Sequence, residues 1–139
     1  TIFVTALLLS HGVAWADREY GSVSGVRLHD CHDGDTCTFT IAEWPPVIGD
    51  RVLVRLEGID TPELRGACEE EKALARRARD ELRRILARGE RIDLAGIHRD
   101  KYFRLRARVL VDGQDVGQRL IAAGVARAYS GGTREPWCQ

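Results

Sequence analysis

A mainly β domain with helices is the fold the sequence predicts: a small five-stranded Greek-key barrel with one long helix between strands three and four and another helix near the C-terminus. Three observations carry the prediction. Short β-branched or alternating runs are set off by turn formers, one long segment repeats its apolar residues at helical steps, and the order strand, strand, strand, helix, strand, strand, helix suits a small closed barrel better than a sandwich.

In chain order, Gly21 to Leu28 is a run of small, β-branched and apolar residues, and after Asp33-Gly34 the alternation Cys37, Phe39, Ile41 marks a returning strand. The two form a hairpin with Asp33 and Asp35 at its tip. Trp44-Pro45-Pro46 and Gly49-Asp50 break the pattern into a loop. The third strand puts Val52, Val54 and Leu56 on one face, leaving Leu53 and Arg55 on the other. From Cys68 to Arg88 the residues Leu74, Ala78, Leu82, Ile85 and Leu86 make a single apolar stripe. Glu69, Glu70 and Glu71 stand in the first turn and Arg83, Arg84 and Arg88 in the last, as the helix dipole favours, and Gly89 is the expected stop. The run Arg76, Arg77, Arg79, Arg83, Arg84 has Asp80 and Glu81 interleaved, which makes it a solvated, self-paired face. Ile92 and Leu94 open the fourth strand, and Leu105, Ala107, Val109 and Val111 form the fifth, ended by Asp112-Gly113. Its other face carries Arg104, Arg106 and Arg108, of which the last two read as ordinary solvated arginines. Asp115 caps the second helix, which buries Val116, Leu120 and Ile121 and stops at Gly124; Ser130 to Thr133 is a loop leading to Trp137-Cys138.

The apolar run Ile2 to Leu9 and the small-x-small pattern Ala14-Trp15-Ala16 read as a secretory signal peptide over residues 1–16, without a Met or a basic start and so without its first residues. Residues 17–139 then form a single domain. The expected location is secreted or periplasmic, with no stable membrane association after cleavage and a monomeric state. With 21 basic and 21 acidic residues the chain carries no net charge. That excludes a nonspecific polycation but leaves room for a locally basic groove, because a phosphate feels the nearby field and not the sum. Four cysteines in an exported chain favour two disulfides. Three pairings exist; Cys68 with Cys138 and Cys31 with Cys37 is the preferred set. The second pair has a register test: a two-residue turn at Asp33-Gly34 puts Cys31 opposite Thr36, a three-residue turn opposite Cys37. A zinc site from His29, Cys31, His32 and Cys37 lacks the usual two-pair spacing.

Chemistry concentrates in Val54 to Glu63, where a strand carrying Arg55 breaks at Gly58 and is followed by Asp60 and Glu63 around Thr61-Pro62. Phosphoryl chemistry uses such a set: a guanidinium fork for a phosphate, a carboxylate for a metal and another for a water. With Asp33-Gly34-Asp35-Thr36, this stretch and Asp100-Lys101-Tyr102-Phe103-Arg104 in that order, the chain resembles the staphylococcal nuclease (thermonuclease) family from about Val23 to Tyr129. The resemblance implies an OB-fold barrel and calcium-dependent hydrolysis of DNA and RNA, single strands preferred, that leaves 3′-phosphate ends. By position, it implies Asp35, Asp60 and the Thr61 carbonyl as ligands of Ca2+, Arg55 and Arg104 as phosphate clamps, Glu63 as the residue activating the water, and Lys101 and Tyr102 as substrate contacts. Two carboxylates and a carbonyl are hard oxygen ligands, and so few of them imply calcium binding in the range of about 10⁻⁴ to 10⁻³ M. Phe103 stands where that family usually has Gly, and the loop after Glu63 is shortened. Two other readings use the same residues: a catalytically silent OB-fold nucleic-acid-binding module, and a disulfide-stapled interaction protein in which the motifs are turn chemistry and Asp35 and Asp60 lie far apart.

Overall fold

The computed structural model describes residues 18–139. The predicted signal segment, residues 1–16, lies outside them. The elements are β1 (Arg27–Cys31), β2 (Thr36–Thr40), α1 (Pro46–Gly49), β3 (Val52–Leu56), β4 (Ile59–Asp60), α2 (Glu69–Arg88), β5 (Ile92–Arg99), β6 (Leu105–Val111), β7 (Gln114–Asp115), α3 (Val116–Ala122) and β8 (Arg127–Ala128). The five longer strands lie in the order β1-β2-β3-β6-β5 and are antiparallel except at β3 and β6. That one parallel pairing requires a crossover, and the segment containing α2 and β5 supplies it. The curled sheet is closed by backbone bonds on its far side: Val23 and Leu94 exchange two, each 2.9 Å, and Val26 N–H donates to the Ile92 carbonyl at 2.9 Å. This is the mainly β, OB-type architecture that the order of elements predicts.

Several boundaries differ from the sequence reading. The first strand begins at Arg27 and not at Gly21, because Val23 and Val26 spend their backbone groups on β5. Pro46 to Gly49 is a helical turn with proline at its first position, where the missing N–H is not needed. Gly89 ends α2 but with φ −79, so it is no left-handed cap; a side chain there would run into Val111. The apolar stripe of α2 is shifted by one position at its start, with Ala75 buried and Leu74 only half-buried. Ile121 of α3 is likewise half-buried, while Asp115 caps that helix as expected, accepting from Gln118 N–H at 3.1 Å.

One core joins the barrel to its helices. Phe39, Leu56 and Leu94 from the strands meet Leu82 and Ile85 of α2 and Leu120 of α3, all essentially removed from water. Each such side chain contributes about 1.5–3 kcal/mol of burial, so α2 is held by its stripe, not by propensity alone. Two glycines place the chemistry. A side chain at Gly34 would put its Cβ 2.7 Å from the Cβ of Ala78 and 3.1 Å from that of Thr61, so only glycine lets the hairpin tip press onto α2 and the end of β4. Gly58, at φ +86, turns β3 into β4.

Both disulfides pair as preferred, Cys31 with Cys37 and Cys68 with Cys138. Cys31 stands opposite Cys37 in the hairpin, and His32 N–H bonds the Thr36 carbonyl at 2.9 Å around the three-residue turn Asp33-Gly34-Asp35. The pairing leaves no thiolate for a metal, either at the hairpin or where Cys68 and Cys138 lie beside Glu71.

Candidate active-site groove

The groove is assembled from the outward face of β3 and β6. Register places Arg55 beside Arg106, and like charges side by side need partners. Each arginine has one. Arg55 Nη2 lies 3.6 Å from Asp35 Oδ2 and donates to the Ile59 carbonyl at 3.3 Å. Arg106 Nε stands 3.1 Å from Glu57 Oε1, an ion pair without hydrogen-bond alignment. Arg104 donates to Asp100 Oδ2 at 2.9 Å. Burial pushes the Asp100 carboxyl up, but the Lys101 N–H and the Arg104 and Arg55 charges bring it below its usual range.

The three arginines, with Glu57 and Asp100 but without Asp35, line a cavity of about 500 Å³, in which five cations, Arg55, Lys101, Arg104, Arg106 and Arg134, face only Glu57 and Asp100. A chain of zero net charge thus concentrates positive potential in one groove. Tyr129 lines it too, its ring 5.9 Å from the Arg55 guanidinium.

The acidic side is built at β4, whose two residues pair with β8. Asp60 and Thr61 are buried there, at 3 % and 2 % exposure, and Glu63 is exposed. Glu71, on the first turn of α2, holds the loop that carries Glu63: its buried carboxylate accepts from Glu63 N–H and from Ala67 N–H, each at 3.1 Å. Gly66 leaves room for it, since a Cβ there would stand 2.6 Å from the Glu71 carboxyl carbon. Asp35, at the hairpin tip, has its carboxyl pushed up to about 6 by burial and by the neighbouring Asp33, against the pull of Arg55. Such a carboxylate is short of positive charge.

The C-terminal tail completes the site. Arg134 Nη2 donates to Asp60 Oδ1, lies 2.8 Å from Glu63 Oε1 and reaches the Thr61 carbonyl at 3.5 Å. Trp137 Nε1 donates to the other oxygen of Asp60 at 3.2 Å. Burial works against the charge on Arg134, yet its bonds to Asp60 and Glu63 prevail and raise its pKa above the ordinary arginine value.

The structure therefore gathers Arg55, Lys101 and Arg104 in one groove, and Asp60, Thr61 and Glu63 around one guanidinium that also lines it. Asp35 joins them through Arg55 and through the Gly34–Thr61 contact, so the hairpin tip and β4 meet. Tyr102 stands apart: it is 90 % exposed and does not line the groove. Arg106, read as a solvated residue, is in the groove because β6 lies parallel to β3 with Arg106 beside Arg55. Arg134, Trp137, Glu57 and Glu71 are site residues that the sequence reading does not assign, Glu71 being placed there only as a first-turn helix charge and Trp137 only in the tail. For Arg134 and Trp137 a signal existed, since a disulfide from Cys138 to Cys68 must carry the preceding residues past Glu63.

Hard oxygens that converge on one cationic nitrogen fit a calcium ion as well as a guanidinium, and Asp35 adds a carboxylate in need of a counter-charge. Among the described residues no helix is long and apolar enough to cross a membrane. No curated protein matches the chain. A family model described as staphylococcal nuclease homologue matches residues 53–136, which include Arg55, Asp60, Glu63, Arg104 and Arg134 but not the hairpin with Asp35.

Proposed function

The chain belongs to the staphylococcal nuclease homologue family, a nuclease-type family, and from that premise we propose that it is a secreted or periplasmic, calcium-dependent phosphodiesterase. It hydrolyses DNA and RNA with little sequence preference, favours single strands and leaves 3′-phosphate ends. It acts as a monomer and keeps no stable membrane association once its leader is removed. The observation that supports this best is the convergence of Asp60 Oδ1, Thr61 O and Glu63 Oε1 on one cationic nitrogen at the edge of a basic groove.

In this reading Asp35, Asp60 and the Thr61 carbonyl hold Ca2+, which when bound supplies charge neutralisation at the phosphate oxygens. The protein's own side chains do the rest. Arg55 and Arg104 grip the phosphate, each already aimed by a carboxylate behind it, Asp35 and Asp100. As negative charge grows on the phosphate oxygens, preset guanidiniums stabilise it without reorganising. Lys101 adds a point charge along the backbone path. Glu63, exposed at the groove edge and held in place through Glu71, takes the proton of the attacking water. Single strands are favoured because Tyr129 in the groove, and the exposed rings of Tyr102 and Phe103 on the turn between Lys101 and Arg104, offer faces to unstacked bases.

A second reading has an observation of its own. Arg134 and Trp137 engage both oxygens of Asp60, which suits an OB-fold module that binds nucleic acid without cutting it. Incubation of the purified protein with single-stranded DNA, with calcium and then with excess chelator, separates the two. Cleavage that requires calcium and stops with chelator is the expected result. DNA binding without cleavage in either condition supports the silent module.

A further inference from the structure

The tail contact at Asp60 has the geometry of a competitor. A single nitrogen, Arg134 Nη2, bonds Asp60, lies 2.8 Å from Glu63 Oε1 and 3.5 Å from the Thr61 carbonyl. Two positive centres cannot share that point. We propose that Arg134 is a tethered counter-cation of the acidic wall that a metal ion must displace, so that the tail sets how tightly the site holds its metal. The inference rests on the calcium reading above.

Three observations make this more than a surface ion pair. Arg134 is delivered by a tail anchored on both sides of the contact: before it β8 is paired with β4, and after it Cys138 is bonded to Cys68 and the Arg127 guanidinium lies 3.7 Å from the Trp137 ring centroid and donates to the Pro136 carbonyl at 3.1 Å. A tethered group competes at an effective concentration that can reach about the millimolar range. The same tail carries Gly131 and Gly132 at φ +104 and +87 just before the arginine, so the backbone there follows a course open mainly to glycine. Finally, the Arg134 side chain is 43 % exposed and borders the basic groove, so a displaced guanidinium has both water and a phosphate site to move into without unpacking the core.

Calcium is titrated into the oxidised protein, Arg134→Gln and Arg134→Lys, by calorimetry. In parallel, tryptophan emission is followed, taking as the Trp137 signal the part that Trp137→Phe abolishes. Arg134→Gln should bind calcium about tenfold more tightly, as expected on removing an ion pair to one buried and one exposed carboxylate. Arg134→Lys should fall between it and the parent, since an ammonium makes a weaker, less directed contact. The Trp137 signal of the parent should change along the same binding curve. Calcium binding by the parent with unchanged or weaker binding by Arg134→Gln overturns the proposal, because the arginine would then be indifferent or would help to position the ligands. No calcium binding by any variant overturns the calcium reading, and the competition with it.

Discussion

The two walls of the groove are made differently. The basic wall comes from β3, β6 and the turn before β6, and each arginine finds its carboxylate nearby in the same layer: Arg106 with Glu57, Arg104 with Asp100, Arg55 with Asp35. The acidic wall, Asp60 and Glu63, takes its cation from Arg134, more than seventy positions away and held by a disulfide of sequence separation 70. One wall is a product of barrel register, and the other depends on a tether. Perturbations should therefore separate chemistry, tether and local strain.

Glu63→Gln is expected to have the largest effect. Gln keeps the shape and loses the base, so turnover should fall by about 10² to 10⁴-fold. Thermal melting should barely move, since Glu63 is exposed and Glu71 bonds its backbone, not its carboxylate. Hydrolysis at the parental rate would remove Glu63 from the chemistry. The tether comes next. Replacing Cys68 and Cys138 with Ala opens a long loop and should cost about 4 kcal/mol, against about 2 kcal/mol of loop entropy for the short Cys31–Cys37 loop. Urea unfolding gives both numbers. Equal losses would mean that the tail closes no loop that matters to the unfolded chain.

How far these walls could be read from the sequence follows from the range of the interactions. The hairpin disulfide was legible as a preference from short-range pattern, since Cys31 and Cys37 flank one tight turn, but it took the three-residue form of that turn in the structure to set them opposite each other. The α2 stripe and the Asp115 cap were legible from short-range pattern too. Asp60, Thr61 and Glu63 sit in one short motif, and their convergence needs only a strand end. The parallel pairing of β3 with β6 is a long-range choice, so nothing local distinguished Arg106, which lines the groove, from Arg108, which is exposed. Two-residue strands such as β4 and β8 carry no periodicity to find. Arg134 was harder still, because its place is decided by a covalent bond between segments remote in sequence.

Asp35→Asn tests the link between the walls. The carboxyl has a folded value of about 6 against 3.8 for the free group. Because the folded value is the higher one, its unfavourable contribution is absent below about pH 4 and complete above about pH 6. In chelator-treated protein, Asp35→Asn should thus raise stability by on the order of 3 kcal/mol at pH 7, with the gain shrinking toward zero at pH 4, while calcium-dependent cleavage is lost. Urea melts at both pH values measure it. A destabilised variant at pH 7 would show that the Arg55 contact outweighs burial and Asp33 together.

The smallest expected effect lies at the end of the basic wall. The turn from Asp100 to Arg104 is closed by two backbone bonds between these segments, Asp100 N–H to the Arg104 carbonyl at 2.8 Å and Arg104 N–H to the Lys101 carbonyl at 3.1 Å. To make it, Tyr102 and Phe103 adopt φ of 58 and 60, with both rings almost wholly in water. A left-handed L residue costs roughly 1–2 kcal/mol, and glycine at that position would relieve it while adding about 0.5–1 kcal/mol of unfolded-state entropy. Phe103→Gly should therefore stabilise the fold by about 0.5 kcal/mol, the small positive balance of those two terms. The Arg104–Asp100 pair should persist, and the KM for single-stranded DNA should rise slightly as an aromatic face is lost. Thermal melting and steady-state kinetics on the same preparation test both. A fall in stability would mean that the turn before Arg104 draws support from the Phe103 ring, and that this wall too depends on more than the register of its strands.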